Sequence, residues 1–453
     1  MVFPVPRWCV DLAKEFGRNG YKFYIVGGAV REQLLGRSVD EWDATTEAKP
    51  NEIEKILRQV GAVKIGTIGK QFGTITAEFH GEPIEITTFR GEQYQDNSRK
   101  PVTNFSATID EDLSRRDFTI NAIAYDVLGG QLLDPFGGQN DLKEKIIRAV
   151  GRPASRFHED PLRMLRAIRF AVRLEFEIET ETKQAISDER DRAGMLSPER
   201  VAQEIDKMLL SQNPSQAIEL LAETGLLNYV LPELLPSIDI EFDPREHKDI
   251  YHHILQVLDQ TPPSLELRWC ALLHDIAKPQ TRQKIGGEYH FLGHENLGAK
   301  IARTVLRRLH YSNELTSKVV DLVRLHQRIP GYEPNWTDGG VRRFVRDAGE
   351  HLDDLFMFAE ADQTGKNEKK NALYRSRRTE LRDRIDKLQA EAEIAKIKPP
   401  LDGAELIAIF KRPAGPWIKP IKDHLLELVL DGSLAANDKA GAEKIARELV
   451  KKL

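Results

Sequence analysis

Apolar and polar positions change rhythm along this chain of 453 residues. In its first third, short β-rich runs are set among helical ones: Lys22-Phe23-Tyr24-Ile25-Val26-Gly27-Gly28, Ala62 to Ile68, Gly73-Thr74-Ile75-Thr76-Ala77-Glu78-Phe79 and Pro83-Ile84-Glu85-Ile86-Thr87-Thr88-Phe89. Near-alternation of apolar and polar positions predicts strands, and a helix is predicted over Arg31 to Leu35. His80-Gly81-Glu82 between the last two runs predicts a hairpin with a three-residue glycine turn. From Arg156 onward the strand signals stop and helical periodicity continues to the C-terminus, with breaks at Pro198, Pro214, Pro232, Pro236, Pro262 to Pro263, Pro330 and Pro399 to Pro400. The expected architecture is an α+β head over residues 1–150 and an elongated all-α remainder. That remainder is expected to divide at 151–237, 238–345 and 346–453. The charged stretch from Lys366 to Arg384 precedes a charge-mixed helix predicted to end near Lys396.

Composition narrows the class. With 40% hydrophobic and 30% charged residues the chain reads as ordered and surface-rich, and its length predicts two to four domains. No apolar run approaches the ~20 residues of a membrane span, and Met1-Val2-Phe3-Pro4 lacks a signal peptide's basic start, so a cytoplasmic protein without a membrane partner is expected. Cys9 and Cys270 lie in unrelated contexts and suit neither a disulfide framework nor a zinc site. A net charge of -5 means that any nucleic acid must be met by local basic patches. The candidates are Lys366, Lys369, Lys370, Arg375, Arg377 and Arg378, against the blander reading of a solvated face.

Gly27-Gly28 follows an apolar strand, so the backbone can approach a phosphate closely there, and Arg31 supplies a cation at short range. Asp40-Glu41-Trp42-Asp43 comes next. In a strand, side chains two apart face the same way, which pairs Glu41 with Asp43 and leaves Asp40 out. The run around Ile84 and Ile86 turns Glu85 to its polar face, a third carboxylate from another strand. Oxygen donors converging beside a glycine turn match Mg²⁺ held together with substrate phosphates.

Six ordered segments, GGAVREQLLGR, EWDATTEAKP, EITTFR, RRDFTINAIAYD, EDPLRMLRAIRFA and SPERVAQEIDKML, resemble the motif series of class II CCA-adding tRNA nucleotidyltransferases and their bacterial poly(A) polymerase relatives. The resemblance runs continuously from residue 21 to 210. It implies a polymerase-β-like head, a helical neck for nucleotide selection and RNA binding, an HD-type body and a tRNA-binding tail, with no obligate protein partner. It implies template-independent addition of CCA to tRNA from CTP and ATP, with Mg²⁺ at Glu41 and Asp43 and with Glu85 as the third catalytic carboxylate. Gly28, Arg31, Arg116, Asp117 and Asn121 would handle ribose and triphosphate. Asp160 and Arg163 would read the Watson-Crick edge of the base, beside Arg166. His158 to Arg166 is predicted as a helix start with acids in its first turn, which puts Glu159, Asp160, Arg163 and Arg166 on one polar face. Family members usually carry Asp-x-Asp where this chain has Glu41-Trp42-Asp43, and the extra methylene displaces a carboxylate by about 1 Å. The polar stretch GEQYQDNSRKPVTNFSATIDEDL reads as a loop; CC-only relatives lack a complete flexible element there, so its presence favours CCA or terminal A addition. Poly(A) addition, A-only addition, an HD phosphohydrolase with an inert head and a catalytically silent tRNA-binding protein are the alternatives.

A second constellation lies in the body. Asp249-Ile250-Tyr251-His252-His253 is followed by His274-Asp275, Gly293-His294 and later by Asp321 and His326. Their order resembles an HD-type phosphohydrolase, whose imidazole and carboxylate donors suit Mn, Ni, Zn or Fe. His253, His274, Asp275 and Asp321 are the expected ligands of such a transition metal, against the alternative of a helical fold retained without turnover.

Overall fold

The computed structural model describes residues 3–89, 91–93, 102–104, 108–238, 241–243, 248–365, 367–396, 398–430 and 433–450. Two compact units emerge, residues 1–324 and 325–453. Arg90, Lys366 and much of the polar loop stretch lie outside the described residues. Among those described, no helix is long and apolar enough to cross a membrane.

In the first unit, α1 (Arg7–Arg18) precedes β1 (Phe23–Val26), α2 (Gly27–Leu34), β2 (Trp42–Thr46), α3 (Pro50–Gln59), β3 (Val63–Gly66), β4 (Thr74–Phe79) and β5 (Glu82–Thr88). Among the described residues, strands β6 (Gly91–Gln93) and β7 (Val102–Asn104) pair only with each other. Then come α4 (Ile109–Ser114), β8 (Ala124–Asp126) and β9 (Gln131–Leu133). Seven strands form one mixed sheet in the order β3-β4-β5-β2-β1-β8-β9, with β2 and β5 parallel. The short strands β8 and β9 escaped the sequence pattern because Ala124 to Leu133 is too brief to show a period.

Alternation divides the sheet's faces. Trp42, Ala44, Ile75, Ala77, Ile84 and Ile86 are buried, and α3, which buries Ile53, Ile56 and Leu57, packs against β4 and β5. Leu12 and Phe16 of α1 are fully buried, a contribution of about 2 kcal/mol each. The opposite face carries Asp43, Glu85, Thr87 and Thr74. The hairpin between β4 and β5 corrects the predicted turn: Phe79 pairs with Glu82, so the turn is His80-Gly81 alone. Both residues have positive φ, 53° and 84°, the requirement of a primed two-residue turn.

Helix follows from there: α5 (Gly138–Glu144), α6 (Pro153–Glu159), α7 (Leu162–Leu174), α8 (Thr180–Glu189) and α9 (Pro198–Leu209). Strands persist beyond Arg156, contrary to expectation. Glu177–Ile178 pairs in parallel with Ile146–Ile147, and Gln283–Ile285 forms a hairpin with Glu288–His290 around Gly286-Gly287. Each is too short for the period-two signal.

The second unit is helical. It includes Glu368–Lys396, which ends where the charge pattern predicted, and a terminal cluster built on Leu401, Leu406, Trp417, Ile421 and Leu425. Three of the six basic candidates are engaged by acids: Arg375 with Glu368, Arg377 with Glu333 at 2.7 Å and Arg378 with Glu360 at 3.6 Å. That arrangement fits a solvated, self-neutralised face.

Candidate active site and a second histidine cluster

The pocket of the head has a volume of about 620 Å³ and is lined by Gly27, Gly28, Arg31, Glu41, Asp43, Glu85, Arg116, Asp117, Asn121, Asp160, Arg163 and Arg166, among others. Every residue expected to serve nucleotide or magnesium in the head therefore faces one space.

Strand register sets the carboxylates. Asp43 and Glu85 are direct partners on the parallel strands β2 and β5, and Glu41 precedes the strand on the same pocket wall. Burial raises the Asp43 carboxyl's affinity for a proton and Glu41 adds to the effect, while Arg116, the Gly28 amide and Arg31 oppose them. A group of oxygen donors in this state suits a divalent cation, which relieves their mutual repulsion.

Helix α2 begins at Gly27 rather than at Arg31, so both glycines form its N-terminal turn. Gly27 has a φ of +65°, and a Cβ there would stand 3.0 Å from Arg116 Nη1 and 3.3 Å from Asp43 Oδ2. Only glycine keeps the backbone this close to the carboxylate.

The cations are held by the protein's own acids. Arg31 donates to Asn121 Oδ1 and, at 2.6 Å, to Glu32 Oε1. Asp112 takes Arg116 at 3.2 Å and Arg115 at 3.6 Å. Asp117 accepts from the Phe118 amide at 2.8 Å, from Asn121 Nδ2 at 2.9 Å and from Arg166 Nε at 2.8 Å. Burial alone would raise the Asp117 carboxyl, but the Arg166 charge and these bonds outweigh it and bring its pKa down to about 2.

The expected single helix over His158 to Arg166 is corrected. Helix α6 ends at Glu159, Asp160 is extended (φ -142°, ψ 102°), and α7 starts at Leu162. The cause lies in Pro161, which disfavours the helical state for the residue before it. Glu159 and Asp160 therefore do not share a helical face with Arg163 and Arg166. Arg163 still reaches Glu159 at 2.8 Å and the Arg115 carbonyl at 2.8 Å. Asp160 uses Oδ1 to accept the Leu162 amide at 3.1 Å and Oδ2 to accept Arg200 at 2.8 Å.

Two features escaped sequence reasoning. Phe170 lies beneath the guanidinium carbons of Arg169, Arg31 and Arg166, at 4.1, 5.0 and 5.3 Å from its ring centroid. Arg169 is paired with Glu204 of α9 at 2.5 Å, both side chains 5% exposed. The spacing Arg166, Arg169, Phe170, Arg173 hinted at a cationic face, whereas partners such as Arg200 and Glu204 are remote in sequence and carry no local signal.

The second cluster lies in the helical part of the same unit. His253 sits on the helix Ile250–Gln260, His274 follows Leu265–Leu273, and His294 opens His294–Arg308. Their Nε2 atoms surround Asp275: His274 at 3.1 Å and His253 at 3.3 Å from Oδ2, His294 at 3.4 Å from Oδ1. His274 Nδ1 lies 2.8 Å from the Ala271 carbonyl and His294 Nδ1 2.7 Å from the Phe291 carbonyl. Those carbonyls accept the Nδ1 protons, which fixes each ring with its Nε2 edge toward Asp275. Asp275 is 1% exposed; burial opposes its charge, yet His274, Lys278 and His253 hold it well below the usual carboxylate range. Asp321 stands apart: it pairs with Arg324 at 3.0 Å, one helical turn along, and joins no group of candidate metal ligands among the described residues.

Residues 23–148 match the poly A polymerase head domain, 175–238 the probable RNA and SrmB-binding site of polymerase A, and 248–391 the HD domain. The CCA-adding enzyme of Bacillus licheniformis is 33% identical over 434 residues, which cover 95% of each chain. That of Geobacillus thermodenitrificans is 31% identical over 440 residues, covering 95% of this chain and 94% of the relative. The crystal structure of the Bacillus stearothermophilus CCA-adding enzyme in complex with CTP superposes with a TM-score of 0.62 at 27% identity, covering 99% of both chains. A relative of this identity and coverage places the chain in the family of CCA-adding enzymes, nucleotidyltransferases that depend on a divalent metal.

Proposed function

We propose that this protein extends the 3′ end of tRNA with C, C and A, drawn from CTP and ATP without a template, and that its divalent metal is Mg²⁺ at Glu41 and Asp43. The observation that carries the reading is the register of Asp43 with Glu85 on parallel strands, facing the N-terminal turn of α2 in one pocket with Glu41 and the fixed arginines. Bound there, the metal supplies Lewis-acid activation of the RNA 3′ hydroxyl and neutralises phosphate charge. Gly27 and Gly28 admit the triphosphate close to the backbone, while Arg31 and Arg116 screen its oxygens. Asp117 and Asn121 orient the ribose side, and Asp160 and Arg163 offer acceptor and donors to the base edge. The 3′ oxygen forms a bond to the α-phosphorus as the bond to the β-phosphate oxygen breaks, and pyrophosphate leaves without a covalent enzyme intermediate. In this scheme residues 1–150 catalyse, 151–237 select the nucleotide, and 238–345 and 346–453 serve as HD-type body and tRNA-binding tail. Incubation with tRNA ending at the discriminator base tests it. CTP alone should add C residues and both nucleotides CCA; a long A tract from ATP alone would favour poly(A) addition, and no extension under any condition would sink the transferase reading.

The histidine cluster supports a second reading. His253, His274, Asp275 and His294 form a donor set suited to a transition metal. Lys278 Nζ lies 2.5 Å from Asp275 Oδ2, so a metal taking that oxygen displaces the ammonium. Metal-stimulated phosphodiester hydrolysis by protein carrying Asp43→Asn, abolished by His274→Ala, would establish an HD phosphohydrolase; no hydrolysis with Mn, Ni, Zn or Fe would leave the cluster a structural one.

A further inference from the structure

The order of the head's sheet assigns a side to each reactant. Gly27, Gly28 and Arg31 lie on α2, which packs on β1, β2 and β8, and Asn121 stands just before β8. Nucleotide handling is therefore concentrated on the β1–β8 half, while β5 and β4 continue from β2 in the other direction. An in-line displacement puts the attacking and leaving oxygens on opposite sides of the α-phosphorus. With the triphosphate on the α2 side, the RNA that bears the attacking hydroxyl approaches over β5 and β4.

On that half, Thr87 and Thr74 line the pocket with their Oγ1 atoms 3.1 Å apart. Thr74 opens β4 directly after the turn that contains Ile68 and Phe72. Ile68 is 96% exposed and Phe72 59%. The turn is braced rather than loose. The Phe72 amide donates to the Gly69 carbonyl at 2.8 Å, Gly73 to Lys70 at 3.0 Å, Thr74 to Gly69 at 3.1 Å and Thr88 to Gly73 at 2.9 Å. Lys70 Nζ is tied to Glu54 of α3 at 2.5 Å, and Gly73 takes a φ of +85°. A turn built this firmly holds an aromatic ring in water two residues before Thr74, which lines the pocket, and has the construction of a stacking platform.

We propose that Phe72 stacks on the base at the 3′ end of the acceptor RNA, with Ile68 against the neighbouring nucleotide, and so positions the 3′ hydroxyl over Asp43 and Glu85. The proposal rests on the transferase reading above. Stacking is tolerant of base identity because every base has a π-face. That suits a site whose primer ends successively in a discriminator base, in C and in CC. Phe72 acts here as a positioning residue.

The test is steady-state extension of tRNA lacking CCA, with KM measured separately for RNA and for CTP. Phe72→Ala should raise the RNA KM roughly 5- to 100-fold and leave the CTP KM within about twofold, while Phe72→Trp stays near wild type and Phe72→Leu does not. A 2-aminopurine at the RNA 3′ end should be quenched by wild-type protein and by Phe72→Trp, and not by Phe72→Ala. Wild-type extension combined with an unchanged RNA KM in Phe72→Ala, or with Phe72→Leu equal to Phe72→Trp, overturns the stacking. Wild-type protein that extends nothing overturns the reading beneath it instead.

Discussion

Replacing Asp117 by asparagine keeps the size of the side chain and removes one negative charge where an amide, an asparagine and an arginine converge. Folding lowers the pKa of this carboxyl from 3.8 to about 2, which corresponds to about 2 kcal/mol favouring the ionised folded state. Asparagine can still accept from Phe118 and Asn121, but it turns an NH₂ group toward Arg166, whose guanidinium then lacks its main acceptor. Asp117→Asn should therefore be about 2 to 3 kcal/mol less stable than wild type at pH 7. The sign with pH follows from linkage. A depressed carboxylate contributes fully above its unfolded pKa near 4 and loses that contribution as pH falls toward the folded value near 2. The gap between the two proteins should stay constant from pH 7 to 5 and shrink to about half by pH 3. Urea unfolding at pH 7, 5, 4 and 3, followed by tryptophan fluorescence and circular dichroism, measures it. The CTP KM should also rise roughly tenfold as Arg166 loses its tether. An equal gap at pH 7 and pH 3, or none at pH 7, would refute the reasoning.

Four further outcomes are expected. Glu204→Ala strands the buried Arg169 and should lose about 3–5 kcal/mol in urea unfolding, whereas Arg169→Met with Glu204→Leu together should lie near wild type. Gly27→Ala forces a Cβ against Arg116 and Asp43 from a positive φ, with about 1–2 kcal/mol of strain; kcat should fall roughly 100-fold in a primer-extension assay. Glu41→Asp should retain extension at no less than the wild-type rate, and Glu41→Gln should lose roughly 100-fold or more, with the magnesium concentration at half-maximal rate raised. In protein carrying Asp43→Asn, adding His274→Ala should abolish nickel binding by equilibrium dialysis, while His274→Ala alone should leave CCA addition within about twofold of wild type because the cluster shares no residue with the head pocket.

The parts of this site that sequence revealed are those carried by local rules. Alternation put Glu85 and Asp43 on the polar side of their strands, and the parallel register then made them neighbours. The double glycine marked a backbone that other residues avoid, and Gly27 has the positive φ that glycine adopts without strain. What stayed hidden depended on distance along the chain or on a single local exception. Arg200 meets Asp160 from 40 residues away, and Glu204 meets Arg169 from 35; neither pairing leaves a periodic trace. Pro161 interrupts the helical face of Glu159, Asp160, Arg163 and Arg166, because a proline disfavours helix in the residue before it. Asp321 matched the HD motif in order along the chain, and Arg324, three residues on, pairs with it.

The carboxylates that grip the head's arginines have a consequence for how the pocket discriminates. Arg31, Arg116, Arg163 and Arg166 are already oriented by Glu32 and Asn121, by Asp112, by Glu159 and by Asp117. Immobilising a long side chain at binding costs about 0.5–1.5 kcal/mol each, and here folding has done that ordering before any nucleotide arrives. A pocket of this kind has little freedom to remould itself around a poor fit. A nucleotide entering it meets donors whose positions were fixed when the chain folded, so selectivity in such a pocket comes from rejection of misfits rather than from adjustment to them.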